Sequence, residues 1–170
     1  MILRFDTFEA LDGRKLMDLY QESNLENVLY FFPDTADQEA ALRKVETNFL
    51  HFLKSDFFEQ AENTYWILEE NGIYIAGLRL TEFKPRQFYL DALETQPGYR
   101  RKGYAAELFT GLFSQLRQDG SFAIYDCVGK TNASSLKAHK KAGFTIHTQD
   151  GFDYLSNTTN SRTYGMMYHE

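Results

Sequence analysis

The sequence predicts one α/β domain over residues 1–170, with a mixed, mostly antiparallel twisted sheet flanked by helices. Three observations predict this class. The length of 170 residues suits a single core. Segments with helical periodicity are followed by segments with strand periodicity. The succession of strand, helix and strand between Phe88 and Val128 implies a right-handed crossover that joins two parallel strands.

The first part of the chain is predicted to be helical. Two short helices are expected over residues 11–22 and 25–32, because apolar residues recur there at loosely helical spacing until a proline follows. A longer amphipathic helix then reaches about Phe57, starting from a capping box formed by Thr35 and Gln38. Its apolar face is formed by Ala41, Leu42, Val45, Phe49, Phe52 and Leu53.

A β-hairpin is predicted after these helices. Its strands, Tyr65 to Glu69 and Ile73 to Leu80, flank Asn71-Gly72, a dipeptide typical of two-residue hairpin turns. A further strand is expected from Phe88 to Thr95.

The remaining elements follow from periodicity and from glycine. A helix with a buried stripe is expected from Gly103 to about Asp119, where Gly120 ends it. The polar stretch from Ser156 to Ser161 is interpreted as a loop. The other predicted elements are a strand at Phe122–Val128, a helix at Ala133–Ala142, and strands at Phe144–His147 and Arg162–His169.

Composition and charge narrow the function classes. The net charge of −6 argues against a nucleic-acid partner and favours a cationic or amine partner. The single Cys127 excludes an internal disulfide and is expected to be a small buried residue. No apolar run has the roughly 18 residues of a membrane span, and the first residues do not resemble a signal peptide. We therefore expect a cytoplasmic protein with no membrane partner and no metal site.

A cationic stretch, YRRKGYAAEL, lies where a predicted strand gives way to a helix. The first turn of a helix leaves backbone N–H groups unpaired, and the helix dipole makes that end positive, so anions bind there. Gly103 would allow a ligand to approach the backbone, and Arg100, Arg101 and Lys102 would add positive charge. The alternative is an ordinary charged turn before a helix.

A second motif, NASSLKAHKKAGF, covers Asn132 to Phe144. Asn132, Ser135 and His139 are spaced so that they share one side of a helix, and Gly143-Phe144 returns the chain to a strand. With the first motif, it resembles the GNAT superfamily of N-acetyltransferases. That family's acetyl-CoA signature, Q/R-x-x-G-x-G/A, is matched here by Arg100, Gly103 and Ala105. The helix motif N-x-x-A/S, ending Y/H-x-K-x-G-F, is matched at the correct distance.

The resemblance, which spans about Phe88 to Phe144, implies an acetyl-CoA site. In the family, two parallel strands splay apart and one of them bulges, so that its backbone pairs with the pantetheine arm. That place corresponds here to Leu93 and Thr95. The pyrophosphate would lie on the backbone N–H groups of Arg101, Lys102, Gly103, Tyr104 and Ala105. Asn132 and Ser135 would lie towards the pantetheine and the adenine.

The resemblance also implies N-acyl transfer to a small-molecule or peptide amine, directly within a ternary complex. Asp91 is the leading candidate for the general base, and a surface salt bridge is its alternative role. Glu94 is the second candidate, although in a regular strand it would point to the opposite face.

His139 is the candidate general acid for the CoA thiolate, at a position where the family usually has tyrosine. Its alternative role is packing against CoA or the next strand. Tyr104 or Tyr125 could then supply the hydroxyl group.

The acceptor and the assembly stay open at this point. An amino acid, a polyamine, an aminoglycoside and a peptide N-terminus all fit, and many relatives form dimers through their last strands. Aromatic-rich segments and single tyrosines could line the acceptor site or belong to the core; they are Leu29-Tyr30-Phe31-Phe32, Phe57-Phe58, Tyr154 and Tyr164. A different class of function is a non-catalytic sensor or scaffold that holds acyl-CoA.

Overall fold

The computed structural model describes every residue from Met1 to Glu170. Its nine strands are β1 (Ile2–Phe5), β2 (Asn63–Glu70), β3 (Ile73–Lys84), β4 (Gln87–Thr95), β5 (Ala123–Gly129), β6 (Thr145–Thr148), β7 (Gly151–Asp153), β8 (Thr158–Asn160) and β9 (Thr163–His169). Seven of them form one sheet in the order β1-β2-β3-β4-β5-β9-β6. Only β4 and β5 are parallel, so the predicted mixed, mostly antiparallel sheet is confirmed.

Helices cover both faces of this sheet. They are α1 (Gly13–Leu19), α2 (Gln21–Phe31), α3 (Gln38–Phe52), α4 (Tyr104–Leu116) and α5 (Ala133–Lys141). On the first face, α1 and α3 pack against side chains such as Tyr65 and Ile67. On the second face, α4 packs against their neighbours in sequence, Trp66 and Leu68. This alternation is the two-residue period of a strand buried on both sides.

The predicted hairpin is confirmed in its position and its turn. Asn71 and Gly72 have φ angles of 52° and 79°, and β2 pairs with β3 on either side of them. A tight turn that requires two positive φ angles explains the Asn-Gly pair.

The parallel pair is short and then opens. Its ladder runs from Gln87 and Ala123 to Tyr89 and Tyr125, although β4 continues to Thr95 and β5 to Gly129. The carboxyl-terminal halves of β4 and β5 therefore separate, as the resemblance implied.

A bulge interrupts β4 within its separated half. Arg79 is opposite Asp91 and Gly77 is opposite Glu94, so two residues of β4 face the single residue Leu78. Ala92, with a φ of 52°, is the inserted residue. The strand therefore changes its pattern of side-chain directions between Asp91 and Glu94.

Two strand pairings were missing from the predictions. The edge strand β1 pairs with the distant β2, and its four residues are too few to show a pattern. The predicted loop from Ser156 to Ser161 contains β8, which pairs with β7. All three residues of β8 are exposed, so the segment lacks the apolar alternation by which a strand is recognised.

The third helix is confirmed in its extent but not in its cap. A π-helical segment, Leu53–Phe57, continues α3 to the predicted end. The capping box of Thr35 and Gln38 is wrong, because the Asp37 side chain caps the helix by accepting a hydrogen bond from Ala40 N at 2.9 Å. Helix α3 therefore starts with an aspartate cap.

None of the helices combines the length and the apolar character that a membrane crossing requires.

Replacing the observed cap should destabilise the fold. Asp37→Ala removes the acceptor for Ala40 N and is expected to lower the free energy of unfolding by about 1 kcal/mol. Thr35→Ala removes a hydroxyl that donates to Asp37 O and should change it by no more than about 0.5 kcal/mol. Urea denaturation of both variants measures the difference. A larger loss of unfolding free energy for Thr35→Ala than for Asp37→Ala would instead support the predicted capping box.

Candidate active site

The turn between β4 and α4 presents an open helix N-terminus. Asp12, Asp37 and Asn132 cap α1, α3 and α5 with their side chains, whereas no side chain caps α4. Its N-cap is Gly103, with a φ of 94° and no atom within 4 Å of a hypothetical Cβ. The first N–H groups of α4 are thus available to an anion, beside the separated ends of β4 and β5.

The three cations of this turn have different surroundings. Arg100 is bound by protein groups: its guanidinium donates to Thr95 O and to Glu94 Oε1, both at 3.0 Å, and it pairs with Glu22 of α2. The Lys102 ammonium lies 5.3 Å from the centre of the Tyr99 ring. Arg101 is exposed and has a φ of 62°. Because Arg100 is already paired, the cations of this turn that are available to an anion at the helix end are Arg101 and Lys102.

Asp91 forms a two-pronged ion pair with Arg79 across β3 and β4. The two hydrogen bonds measure 2.8 and 3.0 Å, and the Arg79 guanidinium also lies over Phe52. Burial raises the pKa of Asp91, and the neighbouring Arg79 opposes that rise only in part. Both residues line a cavity, and 37% of the Asp91 side chain is exposed. A carboxylate with a raised pKa at a cavity wall is suited to accept a proton.

Glu94 shares a face with Asp91, which the pattern of a regular strand did not predict. Ala92 adds a residue between them, so Glu94 turns to the first face and accepts a hydrogen bond from Ser23 of α2 at 2.6 Å. Its other oxygen accepts from Thr95 N and from Arg100. With three donors on its carboxylate, Glu94 holds its surroundings in place.

A chain of buried tyrosines holds the bulge. The Tyr65 hydroxyl donates to the Tyr20 hydroxyl at 2.7 Å, and the Tyr20 hydroxyl donates to Ala92 O at 2.5 Å. Burial raises the pKa of both phenols, so both stay protonated and can donate. This chain fixes the direction of the peptide unit after Ala92.

His139 lies inside the second face. None of its surface is exposed, and its ring packs edge-on against Phe109 and Phe144, with centres 5.3 and 5.0 Å away. Its Nδ1 is 2.8 Å from Ser135 O, and its Nε2 is 2.7 Å from Asp126 Oδ2 without forming an aligned hydrogen bond. This placement supports the packing alternative over direct proton donation to a ligand.

The two tyrosines weighed as alternative acids differ in position. Tyr125 is the last paired residue of β5 before the strands separate, and its ring lies 4.8 Å from that of Tyr154. The Tyr104 hydroxyl donates to Glu70 Oε2 at 3.1 Å on the exterior. Burial raises the pKa of the Cys127 thiol, which argues against its acting as a nucleophile.

Polar residues of the second motif mainly organise α5. Asn132 Oδ1 accepts from Ser135 N at 3.0 Å as the helix cap, and Ser135 Oγ lies 3.3 Å from His139 Nδ1. In β4, Leu93 packs into the second-face core, and Thr95 O is occupied by Arg100.

Two cavities adjoin Asp91 and Glu94 on the first face, and Arg79 with Phe52 lines both. The first, here the acidic cavity, has a volume of about 620 Å³. Its carboxylates are Asp56, Glu62, Glu82 and Asp91. The second, here the amide cavity, lies between α2, α3 and the end of β4 and measures about 910 Å³. Its walls include Asn24, Asn27, Asn48, Phe31, Phe32 and Phe49.

Comparison with known proteins places this architecture in a family. The model of the acetyltransferase (GNAT) family matches residues 14–144. This chain belongs to the GNAT acetyltransferase family. No curated protein matches its sequence significantly.

Solved structures agree with the GNAT fold. The PaiA N-acetyltransferase of Thermoplasma acidophilum, in complex with coenzyme A, is similar with a TM-score of 0.64 and 15% identity, covering 100% of this chain and 99% of that one. The spermidine N-acetyltransferase of Vibrio cholerae, in complex with CoA and spermine, is similar with a TM-score of 0.61 and 14% identity, covering 99% of this chain and 95% of that one. The ribosomal-protein-S18-alanine N-acetyltransferase of Escherichia coli is similar with a TM-score of 0.60 and 17% identity, covering 99% of this chain and 94% of that one.

Some residues of this GNAT site were not found by sequence reasoning. No motif identifies Arg79, Tyr20, Tyr65 or Asn24. Strand register places Arg79 opposite Asp91, whereas the packing of the first-face helices brings Tyr20 to Ala92 O and Asn24 to the amide cavity. Among the aromatic residues considered for the acceptor site, Phe31 and Phe32 line the amide cavity, and Phe57 and Tyr154 line the acidic one. By contrast, Phe58 and Tyr164 pack against the two cores, while Leu29 and Tyr30 are exposed.

Removing the Tyr20 hydroxyl should weaken the bulge. Tyr20→Phe leaves the Tyr65 hydroxyl and Ala92 O without their buried partner, so we expect about 1–3 kcal/mol less stability. Tyr74→Phe is the matched control, because that buried hydroxyl receives only one long bond, of 3.3 Å, from Asp12 N. Urea denaturation would compare them. Equal losses in the two variants would mean that the Tyr20 hydroxyl has no special role.

Proposed function

We propose that this protein is an acetyl-CoA-dependent N-acetyltransferase that moves the acetyl group directly to a primary amine within a ternary complex. The observation that carries the proposal is the uncapped N-terminus of α4 at the point where the parallel strands β4 and β5 separate. Membership of the GNAT family supports it.

The residues at this junction fit a CoA pyrophosphate. The N–H groups around Gly103 to Ala105 would bind phosphate oxygens, with Arg101 and Lys102 beside them. The separated backbones of β4 and β5 have unused pairing groups for the pantetheine amides. When bound, acetyl-CoA supplies the acetyl thioester, whose C–S bond breaks as the amine nitrogen forms the amide bond.

Asp91 is proposed as the base that takes the proton of the acceptor ammonium. The acidic cavity beside it contains four carboxylates and one guanidinium, so the local field attracts a cation. Glu94 is assigned to positioning, because three donors already hold its carboxylate.

The proton for the CoA thiolate is proposed to come from Tyr125 rather than His139. Tyr125 lies at the opening of the strand pair, whereas His139 is fully buried between aromatic rings. His139 then supports α5 and, through it, the wall of the CoA site.

The proposal is tested first by calorimetric titration with acetyl-CoA and by thiol release across a panel of amines. Gly103→Glu adds a carboxylate where the phosphates would bind and should abolish detectable acetyl-CoA binding. Gly98→Glu adds the same charge five residues earlier, at another open glycine, and should bind within about threefold of the wild type.

Thermal unfolding of both variants controls for the positive φ of Gly103. Unchanged binding by a folded Gly103→Glu protein would refute the placement of the coenzyme. Binding of acetyl-CoA with no thiol release for any amine would instead favour the non-catalytic sensor or scaffold.

The pH dependence tests Asp91. A base with a raised pKa stays protonated to a higher pH, so kcat/KM should fall as the pH drops through a value above the ordinary aspartate value of about 4. Asp91→Asn should remove this acidic limb and lower kcat by about 10²- to 10⁴-fold. Glu62→Gln, which neutralises an exposed carboxylate of the same cavity, should keep the limb. Persistence of the limb in Asp91→Asn would exclude Asp91 as the base.

A further inference from the structure

We infer that the amide cavity binds the body of the acceptor, and that the acceptor is a primary amine with an aromatic or similarly bulky apolar group. This inference rests on the proposed function. It concerns a cavity formed by α2, α3 and the last residues of β4, beside the proposed base and separate from the acidic cavity.

A buried polar side chain directed at this cavity indicates a ligand. Asn24 is only 2% exposed and lines the cavity. Its amide nitrogen has a single weak partner, the Met17 sulfur at 3.6 Å, and no residue donates a hydrogen bond to its amide oxygen. The amide oxygen is not completely enclosed, so an N–H group of a ligand in the cavity can reach it and supply the missing hydrogen bond.

The walls of the amide cavity favour an apolar body. The buried Val45 lines the cavity together with Phe31, Phe32, Phe49 and Phe52. Two of these residues are exposed, Phe31 to 62% and Phe52 to 40%. Exposed rings at the mouth of a cavity mark a surface that a flat apolar group can cover. The volume of about 910 Å³ lies within the usual range for small-molecule sites.

The charges of the amide cavity argue against a polycation. Its charged groups are Arg79 and Glu94. Arg79 is paired with Asp91, and Glu94 accepts from Ser23, Thr95 N and Arg100. An additional ammonium in this cavity would find no free carboxylate. The residues that line the amide cavity therefore favour an acceptor with one amino group and an apolar remainder.

The position of the amide cavity suits acetyl transfer to an amine that is bound in it. Its floor is Ala92, Leu93 and Glu94, the bulged end of β4 where the strands have separated. Arg79 and Phe52 form the boundary with the cavity that contains Asp91. An acceptor that contacts Asn24 and fills this cavity would thus place its amine next to the boundary with the proposed base and next to the bulged end of β4.

The test compares 2-phenylethylamine, ethanolamine and spermidine as acceptors, by thiol release and by calorimetric titration of the CoA-saturated protein. Burial of the phenyl group should give 2-phenylethylamine a kcat/KM roughly 10- to 100-fold above that of ethanolamine. Spermidine should be no better than ethanolamine.

Two variants locate the binding. Asn48→Trp places a ring at the exposed mouth of the amide cavity and should raise the Michaelis constant for the aromatic amine at least about tenfold, with unchanged acetyl-CoA affinity. Thr47→Trp, at the neighbouring exposed position outside the cavity, is the control and should leave both unchanged. Asn24→Leu keeps the volume but removes the amide oxygen, and should weaken binding of the aromatic amine about tenfold.

The outcomes separate this inference from the proposed function. Turnover that favours spermidine or ethanolamine, or equal effects of Asn48→Trp and Thr47→Trp, overturns the inference and leaves the acetyltransferase intact. Acetyl-CoA binding without thiol release from any amine overturns the proposed function. In that case, 2-phenylethylamine binding that Asn48→Trp abolishes still supports the cavity assignment, and no binding of this amine rejects it.

Discussion

The left-handed conformation of Ala92 is the constraint on which the candidate site depends. An inserted residue in β4 puts Asp91 and Glu94 on one face, although two intervening residues would otherwise set them on opposite faces. A non-glycine residue in this conformation costs free energy, which the surrounding structure has to offset. The hydrogen bonds from Tyr65 to Tyr20 and on to Ala92 O supply that support from the first-face core.

Arg79 lies between the acidic cavity and the amide cavity. Its guanidinium is held between the Asp91 carboxylate and the rings of Phe52 and Phe57, and it borders both cavities. The acidic cavity is lined by carboxylates, and the amide cavity is lined by asparagine amides and phenyl rings. The same ion pair therefore holds the proposed base and separates two different chemical environments.

The sequence predicted the helices and strands around the proposed coenzyme site better than the contacts around the proposed acceptor site. The junction at Gly103 and the helix from Ala133 are local in sequence, so glycine and periodicity were sufficient to predict these elements. Asp91 was found through family resemblance, but its partner Arg79 depends on strand register. Asn24 and Tyr20 become relevant only when helices of the first face pack over β4. Such contacts between distant segments leave no periodic pattern.

His139 and Arg100 match the family motifs, but their contacts in this structure are with other protein groups. His139 matches the family pattern, yet its ring is enclosed by Phe109 and Phe144. Arg100 matches the first signature position, where the family pattern also admits glutamine. Here it joins Glu22 of the acceptor-side helix α2 to Glu94 of the sheet. A glutamine would be neutral and would leave two neighbouring carboxylates repelling each other. In this chain the arginine thus joins α2 to the bulged end of β4, so a change at this position would alter the packing of α2 as well as the turn before α4.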